Sequence, residues 1–199
     1  MSPILSARGG LSAGAYGWGA LSAAGGAFES IATATGTGSS GTITFSSIPS
    51  TFKHLQIRGI WRTTYTGNPD FICAITANSD TGSNYAWHNL EGNGSSVSAS
   101  GGASDTRILS TRFAASSVAS NTLGAIVIDI LDYGSTTKYK TFRLFGGVDD
   151  NNVAPATKIH VRSGLWLSTS AINSISFTTI GGDNWTTQTT LALYGIKEA

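Results

Sequence analysis

From Phe28 onward the chain is written in short runs that alternate apolar and polar residues, each closed by Gly, Asn, Asp or Ser. A period of two is the spacing of a β-strand with one buried and one wetter face. In Phe52–Thr63, Leu55, Ile57 and Trp61 fall on one side, while His54, Gln56, Arg58 and Arg62 fall on the other. The remaining candidate strands are Phe28–Thr35, Gly41–Ser46, Phe71–Asn78, Asn84–Leu90, Thr106–Phe113, Ala125–Leu131, Lys138–Phe145, Lys158–Leu167, Ser174–Thr179 and Thr189–Ile196. Ala125–Leu131 is nearly continuous in apolar character and reads as a central strand buried on both sides. About ten strands with Gly- and Asn-rich turns predict an all-β, two-sheet antiparallel sandwich, jelly-roll-like in form. The Ser/Gly/Ala tract Gly92–Asp105 and the shorter Thr35–Gly41 read as mobile surface loops.

Composition supports the absence of long helices. Only 12% of the 199 residues are charged, about half the usual share. Thr, Ser, Asn and Gly take the places that Glu and Lys would hold on a soluble helix, and they suit sheet faces and turns. The formal net charge of +1 comes without any basic run, so no nucleic-acid partner is expected. No stretch approaches the roughly 20 apolar residues of a spanning helix, and the opening residues lack a charged region followed by an apolar one. Membrane insertion and secretion are therefore not expected. Cys73 has no partner for an internal disulfide and reads as a small buried hydrophobe.

Residues 1–27 obey a different grammar. Glycine recurs there too often for a stable helix, yet Ile4, Leu5, Leu11, Tyr16, Trp18 and Leu21 are too apolar for a solvated linker. With Arg8 they make a docking arm, whose glycines pass close to another surface while isolated aromatics fill its pockets. The expected organisation is an arm over 1–27 and a sandwich over 28–199.

Motifs of catalysis fail on context. Gly10-Leu-Ser-Ala-Gly14 has the spacing of a hydrolase nucleophile elbow without its flanking strand and helix. Gly36-Thr-Gly-Ser-Ser-Gly41 has dinucleotide-loop spacing, but a strand follows it where a helix would be needed. His54, His88 and His160 lie far apart, and His54 and His160 fall on polar faces as solvent or interface contacts. Asn and Asp cluster near Asp80 and Asp149 as calcium sites do and as ordinary turns do. No catalytic residue, metal site or cofactor is assigned, and no enzyme is expected. Stacking on a host glycan would call on exposed aromatics beside polar groups: Trp185 with Asp183 and Asn184 at a turn, then Tyr65 and Trp87, with Trp61, Tyr85 and Trp166 as lesser candidates.

Several stretches resemble a family of structural, tail-fibre-like virion proteins of tailed bacteriophages that infect aquatic bacteria. They include Phe28-Glu-Ser-Ile-Ala32, Ile48-Pro-Ser-Thr-Phe-Lys-His-Leu-Gln-Ile-Arg58, Asn78-Ser-Asp-Thr-Gly-Ser-Asn-Tyr85, Val127-Ile-Asp-Ile-Leu-Asp-Tyr133 and Leu193-Tyr-Gly-Ile-Lys197. Ser6–Gly17 looks like a head-piece that such phages place before unrelated C-terminal domains. The resemblance implies a virion location and other virion proteins, of tail, baseplate or capsid, as partners of the arm. The chain has no long trimeric shaft, so a short tail or baseplate appendage is expected, with a homotrimer favoured. A capsid decoration (cement) subunit and a glycan-binding module for host adsorption are the alternatives.

Overall fold

The computed structural model describes residues 26–67, 70–150 and 157–198. The arm residues Ile4, Leu5, Arg8, Leu11, Tyr16, Trp18 and Leu21, and the Gly10–Gly14 motif, lie outside the described residues.

Among the described residues the alternating runs become fourteen strands: β1 Phe28–Thr35, β2 Thr42–Phe45, β3 His54–Trp61, β4 Asp70–Phe71, β5 Cys73–Ala77, β6 Tyr85–Gly92, β7 Val97–Asp105, β8 Ile108–Leu109, β9 Phe113–Ala114, β10 Gly124–Leu131, β11 Lys140–Val148, β12 Lys158–Trp166, β13 Ile175–Thr179 and β14 Thr190–Ile196. They form an eight-stranded sheet ordered β1-β14-β3-β10-β11-β12-β6-β7, a four-stranded sheet ordered β2-β13-β5-β8, and a two-residue ribbon β4-β9. Every strand pairing is antiparallel, so the expected all-β sandwich of two antiparallel sheets is present.

The core lies between the two large sheets. Leu55 and Ile57 of β3, Ile126, Ile128 and Ile130 of β10, and Leu191 and Leu193 of β14 meet Ile75 and Phe177 of the smaller sheet. At one end Trp61 stacks on Trp185 with centroids 5.8 Å apart and planes 5° from parallel, and Phe113 meets both rings. Gly164 of β12 lets the layers close, because a Cβ there would stand 2.7 Å from the Ile108 side chain. Two buried cations tie loops to this frame. Arg62 donates to the carbonyls of Ala119, Thr122 and Val118 at 2.7–2.8 Å, and Lys140 Nζ to those of Ser135, Lys138 and Thr169 at 2.6–3.2 Å. Burial pushes both pKa values down, opposed at Lys140 by the Asp132 carboxylate.

Four sequence expectations change. Gly92–Asp105 holds an edge strand, β7, entered through a turn at Asn93-Gly94, where Gly94 takes φ +84° and the Asn93 side chain accepts from Ser96 N. Its residues do not alternate because the strand covers no apolar core, and both of its faces are largely exposed. Thr106–Phe113 splits into β8 and β9, which belong to different sheets. The chain turns between them at Ser110, whose N–H donates to Cys73 O and whose hydroxyl accepts from Cys73 N. The central strand β10 is buried on one face only, and Val127, Asp129 and Leu131 stay half-exposed on the other.

The fourth change concerns β12, where the apolar pattern is inverted. Ile159 and Val161 point outward, while His160 and Arg162 point into the sandwich. Phase is set further along the strand, where Gly164 makes room for Ile108 and Trp166 stacks on Tyr85 at 6.4 Å and donates to Asp80 at 2.7 Å. A slip of one residue would satisfy Ile159 and Val161 but expel Trp166.

Candidate functional site

The residues proposed for stacking on a glycan do not form one site. Trp185 is fully buried, contrary to its expected exposure at a turn. The bridge Thr63↔Trp185 anchors the turn to the end of β3, and the indole N–H donates to Phe177 O at 3.1 Å. Trp61, Tyr85 and Trp166 are likewise core residues. Tyr65, Asp183 and Asn184 do come together in the adjoining loops, where Thr64 N donates to Asn184 O and Asn184 N to the Thr64 hydroxyl. Trp87 sits elsewhere. Its strand β6 is four places from β3 in the sheet, about 19 Å away at the usual strand spacing.

Trp87 belongs to a polar cluster on the inner face of β6 and β12. The Arg162 guanidinium lies 4.8 Å over its ring, and its indole donates to Asp105 at 3.0 Å. Arg162 Nε donates to Asn89 Oδ1, which also contacts His160 Nδ1 at 3.0 Å. Glu91 closes the cluster, accepting from Lys158 at 3.0 Å and from Asn89 and Ser98. Burial first pushes the Glu91 carboxyl up, but Lys158, His160 and Asn89 outweigh it and hold the group at about 2. Burial, opposed by Glu91, lowers His160 to about 4, and burial with Arg112 nearby lowers Arg162 to about 10. His160 is thus an enclosed, neutral side chain rather than the solvent or interface contact its sequence position suggests.

The turn at Asp80 is explained without an ion. Its carboxylate accepts from Gly82 N, Asn84 Nδ2 and Trp166 Nε1, all protein donors, and these hold its pKa down. Among the described residues no group of three or more His, Cys, Asp or Glu side chains is placed to hold a metal. Cys73 is buried, and burial pushes its thiol up to about 12. Asp149 lies beside Asn151 and Asn152, which are outside the described residues.

What sequence reasoning missed is the outer face of the eight-stranded sheet. Register places two apolar rows side by side across five strands. The first runs Val127, Phe145, Val161, Leu90 and Ala99; the second runs Ala125, Gly147, Ile159, Gly92 and Val97, and reaches Ile60 of β3 at its far end. Phe145, Val161, Leu90 and Ile159 are 53%, 54%, 52% and 56% exposed. A concavity of about 850 Å³ borders the rows, with Ala125, Val127, Phe145, Gly147 and Ile159 in its wall. The neighbouring row is polar: His88, Ser163, Arg143, Asp129, Gln56 and Tyr194. The signal for this face was present in Lys158-Ile-His-Val-Arg162, but the inverted phase of β12 hid which half faced water. In comparisons with known proteins, no protein-family model matches the chain and no curated protein sequence matches it.

Proposed function

We propose that this protein is a non-catalytic structural subunit of a tailed-phage virion, a short tail or baseplate appendage that docks through residues 1–27 and displays its sandwich outward. The observation that carries an assembly role is the apolar half of the outer sheet face. Monomeric soluble proteins rarely leave contiguous apolar patches beyond a few hundred Å², and patches of that size or more are often functional contact surfaces, for another protein, a membrane or a ligand. The virion setting rests on the stretches quoted above, which are spread between Phe28 and Lys197. The strong polar groups fit a structural role, since Arg62, Lys140 and Asp80 are all used to fasten loops.

Immunogold labelling of purified particles with antibody against the sandwich tests this reading. Label confined to tails in a few to a few dozen copies is expected, hundreds over the shell would assign the protein to the capsid, and unlabelled particles would refute a virion role. Deleting residues 2–24 is expected to abolish incorporation, and normal loading of the truncated chain would remove the docking role of the arm.

A further inference from the structure

We infer that the apolar half of the outer sheet face is the contact between two copies of this chain, packed sheet on sheet across a two-fold axis. The inference rests on the assembly role above, names the partner at that face and puts a two-fold pair in place of the homotrimer favoured from sequence.

The first argument is area. Phe145, Val161, Leu90, Ile159, Val97 and Ile60 are each between 45% and 73% exposed. From the transfer free energies of such side chains at about 25 cal/mol per Å², they present on the order of 100 Å² apiece, or about 600 Å² together. A standard interface takes about 800 Å² from each partner, little more than half of it apolar. One copy therefore already carries the apolar share of a full interface.

Shape supplies the second argument. Phe145, Val161 and Leu90 stand in one row as a ridge, whereas the row beside it is notched at Gly147 and Gly92 around Ile159. A two-fold contact requires one surface to complement itself. Ridge and notches on adjacent rows meet that requirement, because rotation brings the ridge of each copy over the notched row of the other.

Charge supplies the third. The flanking polar residues carry both signs, with Arg143 directly opposite Asp129 and Arg58 one row away on β3. Such a border does not repel a second copy of itself, and it lacks the single-signed field that would select an acidic or basic partner. The inverted phase of β12 agrees with this use, since Ile159 and Val161 are outside while His160 and Arg162 take up interior volume.

Sedimentation of the full chain over a micromolar concentration series, with two variants, tests the contact. The wild-type chain is expected at twice the chain mass. Val161→Lys buries an unpaired charge in the contact and is expected to weaken self-association by more than roughly 30-fold. Ser163→Lys, on the same strand but in the polar row, is expected to remain dimeric. Both positions are solvent-exposed, so unchanged circular dichroism is expected of both, with a lower, less concentration-dependent melting temperature for Val161→Lys alone. A wild-type chain at one or three chain masses, or a Val161→Lys chain that associates as well as Ser163→Lys, would overturn the two-fold contact. If the wild-type chain is monomeric yet particles are labelled by antibody, the face is covered by a different virion protein and the virion reading survives.

Discussion

Trp185 shows how far a single side chain can mislead a reading of sequence. Asp183, Asn184 and Thr186 around it spell a solvent-exposed turn, but backbone bonds to Thr64 and Arg62 pull that turn against the end of β3. The ring consequently lies flat on Trp61 inside the core. Trp185→Ala is expected to lower stability by about 3–5 kcal/mol, the usual cost of deleting a buried aromatic, as read from urea unfolding. A variant of normal stability that only loses adsorption to host cells would return Trp185 to the role its neighbours suggest. Cys73 was legible in sequence because a free cysteine in an apolar, strand-like run is most often a small buried hydrophobe, and β5 does bury it.

Among the elements, the bounds of β1, β3, β10, β13 and β14 could be read within a residue or two, because β3 and β13 alternate and turn residues bracket the others, although the continuous apolar run of β10 hid which of its faces is wetter. Strand β7 could not be read, because a strand that buries neither face carries no alternation to detect. Strand β12 was located correctly but read with the wrong side inward. Its inner face makes β12 sensitive to acid. The folded pKa of His160, about 4, lies below its ordinary 6.5, so the unfolded chain binds the extra proton first. The contribution of a neutral His160 is complete above pH 6.5 and is lost as pH falls from 6.5 to about 4, a loss of about 3 kcal/mol. Glu91 adds to the loss at lower pH, between its ordinary 4.5 and about 2. The urea midpoint of the wild-type chain is therefore expected to drop across the first window, and His160→Gln to flatten that drop. Equal slopes for the two would mean that the enclosed imidazole does not govern acid stability.

Across the whole molecule, order should fall from the middle of the large sheet toward its β7 edge. Strand β10 has β3 and β11 on its flanks and the smaller sheet beneath it, whereas β7 has only β6. Hydrogen exchange on the isolated chain is expected to show β7 amides exchanging orders of magnitude faster than those of β10, and uniform protection would contradict that gradient. Among the described residues both margins of the sheet, β1 and β7, lack a further strand, and both depart from regular pairing: β1 slips register against β14 between Ser30 and Ala32, and β6 slips against β7 between Tyr85 and Trp87. Two free margins on opposite sides of one sheet are the starting geometry of an endless ribbon, in which each molecule would extend the last. The register shifts at Ser30/Ala32 and Tyr85/Trp87 interrupt regular pairing at those margins, and interruptions of that kind discourage growth by strand addition.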